Sequence, residues 1–191
     1  ILAPLLQSKA KDPAVVVLDD GGRFVISLLS GHLGGANALA KQVAESLGST
    51  AVITTATDGA GLKAVDLLAA EFGLTIEPLQ KVKEFNSAML RGQIIAIYTD
   101  WPPKVFGEAI GVVFLPLAQF TSTQFLYKYR AVLTHKLNFS GLQGDELLLR
   151  PKNLHVGIGC CRGVSAERLE AAIDAVFKAF NLSTASIAQL A

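Results

Sequence analysis

The apolar positions of this chain come in short runs, cut by breaks rich in glycine, proline and aspartate. After Lys11-Asp12-Pro13, residues 14–18 (AVVVL) are a continuous apolar run of strand length. Asp19-Asp20-Gly21-Gly22 is a turn signal joining this run, as a hairpin, to a second strand expected over residues 23–29. The period then changes. Across residues 36–47, Leu39, Val43 and Leu47 recur at i, i+4 spacing, which predicts a helix resting on that face. Gly48 stands where a left-handed C-cap is wanted. Residues 50–55 (TAVITT) are rich in β-branched side chains and predict a third strand. Strand, helix, strand at this spacing is a βαβ unit, which implies a parallel pair and a right-handed crossover.

Farther on, helices are expected over residues 62–72, with Val65, Leu68, Ala69 and Phe72 on the buried side, and over residues 81–90. Residues 93–99, 111–116 and 131–137 pattern as strands, and Arg150-Pro151-Lys152-Asn153 reads as a break. A strand over 154–158, a glycine-rich turn and a helix over 165–180 follow, the helix aligning Leu169, Ile173, Val176 and Phe180. The last residues, NLSTASIAQLA, read as the opening of a helix capped by Ser183 or Thr184. The fold class expected is α/β. An amino-terminal βαβ parallel-sheet domain leads into an α+β middle region, and then into the start of a second α/β domain.

Composition narrows the function. The 191 residues are 51% hydrophobic and 17% charged, a balance suited to burial and not to a disordered tail. Seventeen basic residues against sixteen acidic leave a net charge of +1, which excludes the strong basic field of a non-specific nucleic-acid binder. The longest apolar runs fall well short of the ~20 residues a membrane helix needs. The two cysteines, adjacent at 160 and 161, give neither a disulfide framework nor zinc spacing, so a cytoplasmic setting is expected. With Ile1 opening in the middle of an apolar segment, the chain reads as an interior piece of something longer.

Three constellations could carry chemistry. The first is Ser30-Gly31-His32-Leu33-Gly34-Gly35-Ala36-Asn37. A strand entering a glycine-rich turn at a helix N-terminus offers backbone N–H groups and the positive end of the helix dipole to a carboxylate or phosphate. The run has neither the Lys-Ser/Thr of a phosphate-binding loop nor the dinucleotide glycine spacing. The glycines could equally serve tight helix–strand packing. His32 could act as a general acid or base near neutral pH, or as a surface or capping residue. The second constellation is Thr54-Thr55-Ala56-Thr57-Asp58. In a right-handed βαβ unit both parallel strands end on one edge, so His32 and Asp58 share the carboxyl edge where open α/β sheets bind ligands. Asp19 and Asp20 lie at the opposite end, ~23 Å away at strand rise. Asp58 is thus a candidate acid, base or orienting carboxylate, or else a turn residue. The third is Gly157-Ile158-Gly159-Cys160-Cys161-Arg162-Gly163, where small residues packing a second strand–turn–helix are the simplest account. His135 and His155 fall in expected strands and are assigned to packing.

The run DPAVVVLDDGGRFVISLLSGHLGGANALAKQVAESLGSTAVITTATD resembles the amino-terminal domain of the CbiG family, the cobalt-precorrin-5A hydrolases of anaerobic cobalamin biosynthesis. Its LSGHLGGAN and ITTATD segments are the most specific. LHVGIGCCRGVSAE resembles the start of that family's carboxyl-terminal domain, whose usual pattern is GIGC followed by a basic residue, so Cys161 is a departure. The resemblance divides the chain into an amino-terminal domain over 1–60, a middle domain over 61–150 and the start of a carboxyl-terminal domain over 151–191, the first and last incomplete.

What the resemblance implies is hydrolytic opening of the ring A δ-lactone of cobalt-precorrin-5A, with release of acetaldehyde, to give cobalt-precorrin-5B. Cobalt arrives inside the substrate, so no cofactor and no protein metal site are called for. His32 and Asp58 are the expected catalytic pair. Ser30, Gly31, Gly34, Gly35, Asn37, Thr54, Thr55 and Thr57 are the expected substrate-binding residues. The expected partner is a cobalt-corrinoid small molecule, with no nucleic acid and no membrane. A homo-oligomer and contacts with other cobalamin-pathway enzymes are compatible with it. Two other classes remain: a non-catalytic tetrapyrrole-binding module and a nucleotide-binding α/β enzyme.

Overall fold

The structure is a computed structural model that describes residues 12–31, 34–54 and 62–191. The chain divides into two compact units, Ile1–Leu68 and Ala69–Ala191.

In the first unit, β1 (Val15–Leu18) and β2 (Phe24–Leu29) form the expected antiparallel hairpin. Its turn is built on Asp19, whose carboxylate accepts the Phe24 N–H at 2.7 Å and lies 3.3 Å from Arg23 Nε. Gly22, at φ +62°, donates to the Asp19 carbonyl. The Phe24 amide holds the Asp19 carboxyl below its ordinary range against an opposing desolvation, with a lesser contribution from the Arg23 guanidinium. Helix α1 (Ala36–Leu47) crosses back, and β3 (Thr50–Ile53) pairs in parallel with β2, in register from Phe24↔Thr50 to Ser27↔Ile53.

The face that α1 buries differs from the expected one. Leu39 and Leu47 are exposed, whereas Ala36, Asn37, Ala40 and Ala44 are buried. Ala40 and Ala44 pack with Val25, supported by Val16, Val43, Ala51 and Ile53. Residues of alanine size at i, i+4 and i+8 let the helix axis settle close to the sheet, and leucines on that face would hold it away.

The second unit is organised on a five-stranded sheet. Its strands are β4 (Leu74–Glu77), β5 (Ile95–Thr99), β6 (Val112–Pro116), β7 (Tyr129–Leu133) and β8 (Leu147–Pro151), in the order β4-β8-β7-β5-β6. All neighbours run parallel except the edge pair β4–β8. Every residue of β5 and β7 is buried, as central strands of a parallel sheet require. Helices α2 (Val65–Glu71) and α3 (Val82–Leu90) lie within the expected ranges, α3 burying Val82, Phe85, Ala88 and Met89. Strand β9 (Leu154–Val156), helix α4 (Ala166–Ala179) and β10 (Ile187–Leu190) form a further parallel βαβ. The α/β class is as expected.

Several local expectations are corrected. NLSTASIAQLA is not a helix opening: a short 3-10 turn over Thr184–Ser186 leads into β10, and Ser183 makes no side-chain cap bond. Arg150-Pro151 is not a break but the end of β8. Arg150 is 2% exposed, its Nε 2.9 Å from Glu77 Oε2 and its Nη1 donating to the carbonyls of Thr134 and Lys136. On α4, Phe177 is the buried aromatic, whereas Val176 and Phe180 are exposed. His155 is exposed on β9 and does not pack. Among the described residues no helix is long and apolar enough to cross a membrane.

Candidate active site

In the first unit, β2 and β3 are parallel neighbours, so Ser30-Gly31 and Thr54, which follow them, stand at the same carboxyl edge. The chain turns sharply there. Ser30 has φ +57°, a left-handed conformation that a residue with a side chain adopts only under constraint. Its hydroxyl donates to the Asp12 carbonyl at 2.9 Å. Its own carbonyl accepts from Ala36 N–H, and the Gly31 carbonyl accepts from Asn37 N–H, at 3.1 and 3.0 Å. The turn thus folds back over the start of α1 and uses two of the amides that a helix N-terminus leaves unpaired.

That narrows the anion site expected from the sequence. Its remaining donors are the amides of Gly34 and Gly35, which have no acceptor among the described residues. The two glycines are required for different reasons. A Cβ at Gly34 would lie 2.3 Å from Ser30 Cβ and 2.9 Å from the Ser30 carbonyl oxygen. Gly35, the N-cap of α1, sits at φ +81°, where the strain of a side chain would be conformational and not steric.

Asn37 is placed beneath the turn. Its Oδ1 accepts from Ser27 Oγ at 2.6 Å, with Asn37 9% and Ser27 4% exposed. Thr54 donates its hydroxyl to the Ser27 carbonyl at 3.2 Å. Ser27 therefore ties the helix start to the end of β3, a role the sequence reading missed. Its only signal there is a polar residue inside an apolar strand. The structure brings Ser30, Gly31, Gly34, Gly35, Asn37 and Thr54 to one edge. His32, Thr55, Thr57 and Asp58 lie outside the described residues.

The third constellation follows β9. Ser165 caps α4, its Oγ accepting from Arg168 N–H at 3.4 Å, and the Ser165 hydroxyl holds the Glu167 carboxyl below its ordinary range. Cys160 and Cys161 are free and exposed. A Cβ on Gly157 or Gly159 would meet nothing within 4 Å, so close packing, the simplest account of these glycines, does not explain them. Among the described residues no group of three or more His, Cys, Asp or Glu is arranged to hold a metal ion.

Residues 1–58 match the family model described as Cobalamin synthesis G N-terminal, the segment containing this turn. Residues 63–110 match Cobalamin biosynthesis central region, and 154–191 match Cobalamin synthesis G C-terminus. The chain belongs to the CbiG family. Among CbiG relatives, the cobalt-precorrin-5A hydrolase of Priestia megaterium is 34% identical over 197 residues, covering 100% of this chain and 53% of its own length. That of Salmonella typhimurium is 46% identical over 101 residues, covering 52% of this chain and 29% of its own. The chain therefore spans about half, or less, of the curated relatives it matches. A solved cobalamin biosynthesis protein G homologue from Sulfolobus solfataricus overlaps 97% of this chain and 52% of its own, at 25% identity and a TM-score of 0.45.

Proposed function

We propose that this chain is part of a cobalt-precorrin-5A hydrolase of anaerobic cobalamin biosynthesis, acting in the cytoplasm. The reaction opens the ring A δ-lactone of cobalt-precorrin-5A and releases acetaldehyde, giving cobalt-precorrin-5B. The observation that carries the proposal is the 34% identity to the Priestia megaterium enzyme across the whole of this chain.

The turn after β2 has chemistry suited to such a substrate. Water attacking a lactone carbonyl must lose a proton, and the carbonyl oxygen becomes an oxyanion before the ring C–O bond breaks. Amide donors fixed by backbone geometry stabilise that charge without reorganising. The Gly34 and Gly35 N–H groups, left over once Ala36 and Asn37 are bonded within the turn, are suited to the oxyanion or to a peripheral carboxylate of the macrocycle. In this reading His32 moves the proton, and Asp58 orients His32 or is itself the base. Ser30, Gly31, Thr54, Thr55 and Thr57 line the substrate, and Asn37 positions the turn from below. Cobalt belongs to the substrate, and the reading calls for no resident cofactor.

The test is anaerobic incubation of the protein with cobalt-precorrin-5A and an assay for acetaldehyde. Release dependent on protein concentration supports the reading. Corrinoid binding without acetaldehyde would replace it with a tetrapyrrole-binding module. Saturable binding of ATP or NAD in place of corrinoid would point to the nucleotide-dependent class.

A further inference from the structure

The second unit has a carboxyl edge of its own. Strand β5 is followed by β6 on one side, while β7, on the other side of β5, is followed by β8 still farther out. The chain therefore leaves β5 and β7 in opposite directions, which makes their carboxyl ends the topological switch point at which open α/β sheets bind ligands. The register Thr99↔Leu133 puts Asp100-Trp101 opposite Thr134-His135-Lys136 at that point.

These residues form a connected polar cluster. Thr134 is fully buried, and its hydroxyl donates to Asp100 Oδ2 at 3.0 Å. Lys136 Nζ stands 3.5 Å from the same oxygen, with side-chain exposures of 45% for Lys136 and 32% for Asp100. At that distance and exposure the pair is loose and contributes little to stability, so an incoming carboxylate could take over the lysine. Trp101 meets His135 edge-to-face, ring centres 5.9 Å apart. His135 Nδ1 is buried and has no hydrogen-bond partner among the described residues, which is uncommon for a buried polar atom. Beneath, Arg150 grips the carbonyls of Thr134 and Lys136 and fixes the backbone that carries the cluster.

We infer that this switch point is a second binding surface for a carboxylate-bearing planar ligand, with Lys136 taking a carboxylate and Trp101 supplying the flat apolar wall. The inference rests on the proposed function for its choice of ligand, a corrinoid fringed with carboxylates. Asp100 is the carboxylate beside Lys136 and competes with the ligand for it.

Trp101 is the chain's single tryptophan, so its fluorescence reports on this cluster directly. The experiment is calorimetric and fluorescence titration of the chain with cobyrinic acid, a cobalt corrin with free carboxylates. Cobinamide, whose side chains are amides, is the control. Cobyrinic acid is expected to bind and cobinamide to bind more weakly. Lys136→Gln should weaken cobyrinic acid roughly tenfold, the scale of one charge-assisted hydrogen bond, while leaving cobinamide unchanged. Lys136→Arg should restore most of the loss. Trp101→Phe should weaken both ligands, and Asp100→Asn should tighten cobyrinic acid. Thermal melts matching the unmodified chain show that each variant is folded.

Cobyrinic acid binding that is indifferent to Lys136→Gln and Trp101→Phe, or absent from the unmodified chain, overturns the inference. Acetaldehyde release from cobalt-precorrin-5A alongside either result leaves the proposed function standing. Lysine-dependent corrin binding without acetaldehyde does the reverse.

Discussion

The hydroxyl of Ser27 donates to the side-chain oxygen of Asn37 across 2.6 Å of buried space. One residue belongs to β2 and the other to the first turn of α1, ten positions apart in the chain. The bond fixes how the glycine turn leaves the sheet and re-enters as helix, and so sets the direction in which the Gly34 and Gly35 amides are offered.

Ser27→Ala is therefore expected to destabilise the first unit by about 1 kcal/mol, the net contribution of one intramolecular hydrogen bond. Hydrogen exchange at the α1 amides is the measurement, because these amides lie in this unit. Exchange unchanged from the unmodified chain would show that this bond does not hold the helix start.

Gly34→Ala tests the turn sterically. Its Cβ cannot coexist with Ser30 as placed, so the turn must shift, and a shift near 1 Å is enough to cost ~10²-fold in rate if the turn holds reacting groups. Gly22→Ala is the control for a glycine replaced away from the turn. Unlike Gly34 it occupies a positive φ, but its Cβ meets nothing within 4 Å and it sits at the far end of β2. Equal acetaldehyde release by the two variants would detach the turn from catalysis.

His32→Ala is expected to lower acetaldehyde release by ~10²-fold or more, the usual scale for loss of a general acid or base. Single-turnover assays at saturating substrate separate this from weakened binding. Unaltered turnover would leave His32 a surface or capping residue of the turn.

Asp19 makes a prediction about acid. Its folded pKa is depressed below the ordinary 3.8, chiefly by the Phe24 amide. A depressed carboxylate contributes stability that is fully present above the unfolded pKa and is lost as pH falls through the folded one. Asp19→Asn should thus destabilise the hairpin at neutral pH and flatten the stability profile below about pH 4. Nuclear magnetic resonance of the Phe24 amide across the titration is the check. A profile for Asp19→Asn parallel to that of the unmodified chain at every pH would show that the carboxylate's charge is not used.

How much of this was legible in the chain depends on the range of the forces involved. The hairpin, α1 and β3 are marked by local signals, namely the Asp-Gly turn, Gly48 as C-cap and a β-branched run. The buried face of α1 is not, because counting large apolar residues points to Leu39 and Leu47, whereas sheet proximity selects Ala36, Ala40 and Ala44. Strand β8 hides behind its own ending: Arg150 and Pro151 look like a loop until Glu77 and two carbonyls are found around the guanidinium. Just before β10, Ser183 and Thr184 imitate a helix cap, and only pairing with β9, some thirty residues earlier, makes the residues that follow them a strand. At the site, glycines and the serine turn announce themselves, but Ser27 needs a partner that only the fold supplies. The switch-point cluster is likewise invisible to spacing, since Asp100 and Thr134 meet only when β5 and β7 lie side by side.

Arg150 makes the outer strand and the switch point answer to one another. Its guanidinium holds Glu77 on β4 with one nitrogen and the backbone after β7 with another. Fraying of that edge strand would be felt at Thr134 and Lys136, since the same side chain cannot follow β4 outward and keep both carbonyls. An edge strand of the sheet thus works as a tether on the tip of one of its most buried strands, and a partner that stiffened β4 would stiffen the residues after β7 from a distance.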